Sequence, residues 1–274
     1  MAIALVTDSN AQLPRSLRER YRVRVVPLTV VVDGVAYREG EDLSNDWFYD
    51  ALRAGAAVST ASASPGDLAA TYEEAAADGA QAVLSIHIGS DLSATVGAAR
   101  VAAAESPIPV EVVDSGTASF AIGCCVWAAG EALTGGGTVA MAAASARRVA
   151  GRLGNVFMVR TLDLPRRGGR FAGDPTTNAL PVLALEGGAM RTVTEVSNGE
   201  EALEAMVSYV GDWATAGEHL RVGVGDAQAG GLATVLADRL RRIRIVDEVV
   251  RYEVGPSVAA HTGVGTVGAV FHAV

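Results

Sequence analysis

The sequence contains no lysine, few aromatic residues and only two cysteines. Its 22 basic residues are all arginines, and 31 acidic residues outnumber them, so the formal net charge is -9. Nucleic-acid-binding proteins usually carry a dense basic face. Here the arginine pairs Arg147-Arg148 and Arg241-Arg242 lie in helix-like segments and are typical of solvated faces. We therefore expect no nucleic-acid partner.

The small number of cysteines and the lack of a long apolar stretch indicate in which cellular compartment the protein is expected to lie. Cys124 and Cys125 are adjacent, and neighbouring cysteines rarely form a disulfide or a metal site, so we predict reduced core thiols and no metal. The most apolar stretch, residues 120–130, is too short to span a bilayer. The first residues lack a positive leader and turn polar at Thr7, which favours a first strand over a signal peptide. We expect a cytoplasmic protein without an integral membrane segment.

Aliphatic residues are abundant. Hydrophobic residues make up 50% of the 274 positions, but aromatic residues only 5%. The length is enough for one large domain or two ordinary ones, and the core must consist mainly of small and branched aliphatic side chains.

The first half alternates strand and helix patterns, which predicts a parallel sheet covered on both faces. Asp33-Gly34 is a two-residue hairpin signal, residues 9–12 form a capping-box pattern, and Ser64-Pro65 begins a helix. The predicted strands are 3–7, 23–28, 29–32, 35–38, 82–88 and 110–113; the predicted helices are 14–21, 46–54, 65–78, 92–104, 120–133 and 139–151.

The second half is less regular and predicts a smaller mixed α/β domain. We place the domains at residues 1–153 and 154–274. The predicted strands are 156–159, 180–185, 191–196, 221–225, 243–254 and 266–273; the predicted helices are 201–215 and 232–242; residues 255–265 are predicted as a glycine-bearing loop.

Hydroxyl-bearing residues follow several predicted strands, where ligands of α/β sheets usually bind. They lie in Thr7-Asp8-Ser9, in residues 59–62 and 90–93, and in Asp114-Ser115. Hydroxyls and helix N-terminal N–H groups suit an anion such as a carboxylate or phosphate. For any one of these segments taken alone, ordinary helix capping is the favoured interpretation, because cap preference fully explains serine, threonine and aspartate there.

Two further segments carry groups that can bind a carboxylate. Arg170 ends a glycine turn, residues 166–170, and its guanidinium can grip a carboxylate with two hydrogen bonds; the alternative is a solvated surface turn. His261 in the 255–265 segment can donate to an anion or move a proton; the alternative is an exposed loop histidine. His87 lies in an apolar strand and is expected to be a core histidine.

Two competing functions remain open from the residues alone. A serine-dependent lipid hydrolase could combine a serine, His261 and an aspartate, although no Gly-x-Ser-x-Gly elbow follows a strand. A nucleotide-binding enzyme could use Gly223-Val224-Gly225, but the spacing to Gly230 does not match the dinucleotide fingerprint.

Taken in order, these segments resemble the DegV family over the whole chain. The matching segments are Thr7-Asp8-Ser9 with Leu13-Pro14, Val26-Pro27-Leu28, Asp33-Gly34 with Tyr37, residues 60–66, residues 86–95, Val113-Asp114-Ser115, Gly168-Gly169-Arg170, and residues 255–265. The chain departs from the family at Ser62 and Ala63, where members often have glutamine and proline, at Val264, and in the stretch 170–183, which is shorter than usual.

The resemblance implies a two-domain α/β fold, with an N-terminal three-layer α/β/α domain and a smaller C-terminal mixed domain. It implies a bound long-chain fatty acid and no cofactor, in a protein that is not itself an enzyme. Many members are the fatty-acid-binding subunit of a bacterial fatty acid kinase, so such a kinase is a possible partner, for the synthesis of acyl phosphate and phospholipid. The positions implied to bind the carboxylate are Thr60, Ser93, Arg170 and His261, with Ser62, Ser115, Thr262 and Gly169 as further candidates.

Overall fold

The computed structural model describes residues 2–167, 179–187, 189–215 and 218–274, and of Arg167 only the backbone. Two large sheets and one small sheet organise these residues. The elements of the first half are β1 (Ile3–Asp8), α1 (Arg15–Arg20), β2 (Arg24–Val26), β3 (Thr29–Val32), β4 (Val35–Arg38), α2 (Asn45–Arg53), β5 (Val58–Ala61), α3 (Pro65–Ala77), β6 (Ala82–His87), α4 (Thr95–Glu105), β7 (Val110–Asp114), α5 (Phe120–Thr134) and α6 (Val139–Ala150).

The first large sheet is entirely parallel, with strand order β2-β1-β6-β7. Alternate side chains of its strands point to opposite faces. On one face Val6 and Val83 pack with Leu68 and Ala99 of α3 and α4, and the other face packs against α5 and α6. The three-layer arrangement expected from the sequence is confirmed.

The small sheet, with order β4-β3-β5, is antiparallel, and Val30 and Val32 of β3 belong to the same hydrophobic cluster as Leu5 of β1. Asp33 and Gly34 connect β3 and β4 with φ angles of 48° and 83°, as a type I′ hairpin requires. Residues 59–62 precede α3, as the sequence predicted. Residues 58–61 also form β5, a strand that the sequence analysis did not predict, in which Thr60 pairs with Val30. This hydroxyl-rich segment forms a strand because it pairs with the valines of β3.

The second large sheet is mixed, with order β10-β9-β8-β13-β11-β12, and only β11 and β12 are parallel neighbours. Helices α8 and α9 cover one of its faces. Its elements, with the helices between them, are β8 (Leu153–Met158), α7 (Asp163–Arg167), β9 (Leu180–Glu186), β10 (Ala189–Val196), α8 (Gly199–Trp213), β11 (Leu220–Asp226), α9 (Gly230–Leu240), β12 (Val246–Glu253), α10 (Pro256–Thr262) and β13 (Val267–Ala273).

One hydrophobic cluster joins the two halves of the chain. It combines residues of α5, such as Phe120 and Trp127, with Tyr252, Ala259 and Val270 from the second half. The domain boundary between residues 153 and 154 remains a prediction. Cys124 and Cys125 are buried in the same cluster, and burial raises the pKa of both thiols. Within the described ranges, no helix is both long and apolar enough to cross a membrane.

Two local predictions near the first half's turns were wrong. The Ser9 hydroxyl does not cap α1, because it donates to Glu39 and accepts from the N–H of Leu28, and Pro14 occupies the N-cap position instead. Helix α4 begins at Thr95 rather than at residue 92. The N–H groups of Leu92 and Ser93 donate to the carbonyl of Gly89 and hold these residues in a turn, and the Ser93 hydroxyl accepts from the N–H of Thr95.

The segment 255–265 contains a helix where a loop was predicted. Helix α10 starts at Pro256, whose fixed φ angle suits the first helical position. It ends before Gly263, which has a φ angle of 84° that favours glycine. The glycines that suggested a loop therefore lie outside the two ends of a short helix, and the helix itself contains no glycine.

A stacked pair of aromatic rings packs against two glycines of β11. The rings of Phe120 and Tyr252 have centroids 4.7 Å apart and an interplanar angle of 20°. A Cβ atom at Gly223 would lie 2.2 Å from the Phe120 ring, and one at Gly225 would lie 2.2 Å from the Tyr252 ring. This packing accounts for the Gly223-Val224-Gly225 motif without a nucleotide.

Replacing Gly223 by alanine should destabilise the protein by about 1–3 kcal/mol, because the new methyl group overpacks the core. The matched control is Gly231→Ala, in α9, where a Cβ meets no atom within 4 Å. Chemical denaturation measures both variants, and the control should be neutral or more stable than the original protein. Equal stability of the two variants would contradict the packing described here.

Candidate functional site

A cavity of about 280 Å³ lies between the two large sheets, enclosed by β5, α10, the start of α4 and the inner face of the second large sheet. Its volume is near the lower end of typical ligand pockets, roughly 300–1,000 Å³. The described lining residues are Asn10, Leu28, Thr60, Ala61, Ser62, Ile88, Leu92, Ser93, Ala94, Ala118, Ser119, Asn155, Phe157, Leu185, Met190, Gly225, Tyr252, Val254, Ser257, Val258, His261, Thr262, Thr266, Gly268, Ala269 and Val270.

Hydroxyl groups and one imidazole line part of the cavity wall. Thr60 projects from β5 and His261 from the last turn of α10, and the Thr60 hydroxyl lies 3.0 Å from Nε2 of the imidazole. Ser62, Ser93 and Thr262 also line this cavity. Groups that donate hydrogen bonds are thus brought together from β5, α10 and the turn before α4.

The start of α4 adds polar backbone to the same wall. Its N-cap residue, Ala94, offers no side-chain oxygen to the first N–H groups. The hydroxyls of Ser93 and Thr95 lie 2.9 Å apart, and Thr95 accepts from the N–H of Ala63 at 3.3 Å. A helix N-terminus carries partial positive charge, so this wall favours a negatively charged group.

The remaining walls are mostly apolar. Phe157 of β8, Leu185 of β9, Met190 of β10 and Val270 of β13 supply hydrocarbon surface from the second large sheet. Asn155 also lines the cavity, and its amide is used within the sheet, because it donates to the carbonyl of Leu185 and accepts from that residue's N–H. The polar side chain therefore ties β9 to β8, and the wall there remains suited to an apolar ligand.

The electrostatic character of the cavity suits an anionic ligand. Among the lining residues that the structure describes there is no aspartate or glutamate, so no lining carboxylate repels a bound acid. Burial raises the pKa of the Tyr252 phenol, which stays neutral. A carboxylate entering this space must lose water, and it needs hydrogen-bond donors in exchange.

The structure brings together five of the eight residues proposed from the sequence, at one cavity: Thr60, Ser62, Ser93, Thr262 and His261. Ser115 is buried outside this lining, and its hydroxyl accepts from the N–H of Thr117. The Ser115 side chain therefore stabilises the turn that follows β7, which is a structural role. Gly169 and Arg170 lie outside the described residues.

Sequence reasoning missed several polar lining residues, namely Asn10, Ser119, Asn155, Tyr252 and Ser257. Asn10 lies in the capping-box pattern of residues 9–12 and Ser257 in the 255–265 segment that resembles the family, but no motif or spacing connects all five residues. The Asn10 side chain donates to the Ser257 hydroxyl and accepts from the N–H of Ser119. Only the packing of the two halves brings these groups together.

A separate group of residues has the connectivity of a serine hydrolase triad. His87 lies 3.0 Å from Asp8 through Nδ1 and 2.7 Å from Ser85 through Nε2, and Ser85 lies 2.9 Å from the Tyr72 hydroxyl. All four side chains are completely buried. A substrate therefore has no access to Ser85, and His87 is the hydrogen-bonded core histidine that the sequence predicted.

The described residues form no cluster of three or more histidine, cysteine, aspartate or glutamate side chains suited to a metal ion. The described lining of the cavity offers hydroxyls, one imidazole and backbone N–H groups, and the hydroxyl and N–H donors suit an anion.

A family model described as "Uncharacterised protein, DegV family" matches residues 2–274. The chain belongs to the DegV family. A DegV domain-containing protein of Streptomyces coelicolor is 38% identical, and the match covers 98% of this chain and 97% of that protein. A protein of Thermotoga maritima described as a fatty acid-binding protein is 31% identical, over 98% and 96% of the two chains.

Solved structures of DegV proteins share the fold. The structure of a DegV family protein from Thermus thermophilus, described in terms of its fatty acid binding, superposes with a TM-score of 0.92. It is 34% identical, and the match covers 100% of both chains. The two-part α/β architecture is therefore that of the DegV proteins.

We expect the native protein to form no covalent adduct with a fluorophosphonate probe, because Ser85, the serine with a histidine–aspartate relay, is inaccessible. Intact-protein mass spectrometry measures the outcome. A stoichiometric adduct that disappears in the Ser85→Ala variant would contradict the structural role of this relay.

Proposed function

We propose that this DegV protein binds a long-chain fatty acid, with the carboxylate at the Thr60–His261 wall and the acyl tail along the apolar walls. The observation that carries the proposal is one cavity with both kinds of lining, hydroxyl and imidazole groups beside the apolar surface of the second large sheet. The relatives in Thermotoga maritima and Thermus thermophilus, described by their fatty acid binding, support it.

The energetics favour an amphipathic ligand. Each buried methylene contributes about 0.8 kcal/mol, so a tail of roughly sixteen carbons contributes on the order of 10 kcal/mol before the costs of association are subtracted. A carboxylate at the polar wall keeps its hydrogen bonds through Thr60, Ser93 and His261. Arg170 and Gly169 remain proposed head-group residues because of their family positions, with Ser62 and Thr262 as further contacts.

We propose further that the protein presents the bound acid to a separate fatty acid kinase in the cytoplasm. In that reaction a carboxylate oxygen attacks the γ-phosphorus of ATP, the bond to ADP breaks, and an acyl phosphate and ADP are formed. The chain itself would act as the binding subunit, and the kinase would supply the nucleotide site. The glycine motif of β11, packed against aromatic rings, offers no phosphate cradle.

Purified protein should carry about one fatty acid per chain, detectable by mass spectrometry of a denatured extract. After removal of the lipid, Ser93→Ala should weaken binding of the fluorescent fatty acid cis-parinaric acid about tenfold, the expected effect of one lost hydrogen bond to a charged group. Ser59→Ala is the matched control, since Ser59 is exposed on β5 and does not line the cavity. Absence of lipid, together with no saturable binding, would contradict the proposed function.

His261→Ala should reduce kinase-dependent phosphorylation of the bound acid more than it reduces binding. The imidazole holds the Thr60 hydroxyl and can stabilise charge at the carboxylate during transfer. Binding is measured with cis-parinaric acid, and acyl phosphate formation with ATP and a fatty acid kinase subunit. Equal losses in the two assays would limit His261 to ligand binding.

A further inference from the structure

Glu39 is a buried carboxylate that bridges the two halves of the chain outside the cavity wall. It follows β4 and is only 7% exposed. One oxygen, Oε1, accepts from the backbone N–H of Ser257 at 2.8 Å, and the other accepts from the Ser9 hydroxyl. A carboxylate in the interior is tolerated only when such hydrogen bonds replace its water.

The contact with Ser257 acts on α10, the helix that carries His261. The first N–H groups of a helix have no partner within it, and the N-cap residue of α10, Gly255, has no side chain to supply one. Glu39 supplies that acceptor from the other half of the chain. Its negative charge also lies at the positive end of the helix, which stabilises the helix.

The Glu39 carboxylate occupies space that is open because residue 255 is a glycine. A Cβ atom at Gly255 would lie 2.7 Å from its Oε1 atom, so a larger residue there would displace it. Burial raises the pKa of Glu39, while the hydrogen bonds from Ser257 and Ser9 lower it. The hydrogen bonds from Ser257 and Ser9 therefore stabilise the charged form of the carboxyl group against the effect of burial.

We propose that Glu39 is a positioning residue for the fatty-acid head-group site: its hydrogen bond to Ser257 orients α10 so that His261 reaches Thr60. The inference rests on the proposed function of the cavity. Helix α10 has only seven residues, and isolated helices of that length are marginal in water, so external contacts set its orientation. His261 lies about one helical turn beyond Ser257.

The test is a double-mutant cycle with Glu39→Gln and His261→Ala. Glutamine keeps the size of the side chain but replaces one of the two accepting oxygens by an NH₂ group. In the otherwise unchanged protein, Glu39→Gln should weaken cis-parinaric acid binding about tenfold. In the His261→Ala background the same change should have less than about a twofold effect, because the positioned group is already gone.

Glu253→Gln is the matched control, because it removes the same charge from an exposed side chain at the end of β12; it should bind like the original protein. Thermal unfolding identifies variants that have lost the fold. If Glu39→Gln does not fold, Ser9→Ala replaces it in the cycle. This variant removes one hydrogen-bond donor to the carboxylate and keeps the charge. It should weaken binding in the otherwise unchanged protein and have a smaller effect in the His261→Ala background.

The outcomes separate the two proposals. Unchanged affinity in folded Glu39→Gln, or equal losses with and without His261, would overturn the positioning role while the lipid site stands. Failure of the unaltered, delipidated protein to bind the probe would instead overturn the proposed function on which this inference rests.

Discussion

The polar end of the cavity depends on the hydrogen bonds that hold the start of α10 against the first half of the chain. The N–H of Gly255 donates to Gln12 at 2.5 Å, the N–H of Ser257 donates to Glu39, and the Tyr49 hydroxyl donates to the carbonyl of Val254. These bonds satisfy backbone groups at the helix start that no residue of the helix itself can reach. They therefore determine where the far end of α10 lies.

The apolar walls depend on a different constraint, the shared core of the two halves. Phe120 of α5 stacks on Tyr252, and both rings lie against the backbone of β11 at glycine positions. The second large sheet is thereby held with β13 against α5, and α10 lines the same cavity as the inner face of this sheet. This cavity is lined by hydrocarbon from the sheet and by donors from α10, β5 and the turn before α4.

This arrangement matches what an amphipathic acid needs. Burying the tail contributes free energy in proportion to its apolar surface, whereas an unpaired carboxylate would cost several kcal/mol or more. The donors lie where β5, α10 and the turn before α4 meet. The sheets, whose backbone groups are already paired, supply the apolar part.

Local patterns of the sequence predicted most elements correctly. The Asp33-Gly34 hairpin, the helix begun by Ser64-Pro65 and the parallel first sheet follow from short-range chemistry and from hydrophobic periodicity. The errors occur where a side chain has a distant partner. Ser9 has the sequence of a cap, yet it bonds to Glu39, which is 30 residues away.

The sequence by itself determined the family, the α/β class, the order of the elements and a set of residues able to bind an acid. Only the tertiary structure decided which of those residues meet. Thr60 and His261 are 201 residues apart in the chain and 3.0 Å apart in space, and Ser115, an equally plausible hydroxyl, lies outside the cavity lining. The physical reason is that strand and helix formation depend on near neighbours, whereas the contacts that place α10 join backbone and side chains from opposite ends of the chain.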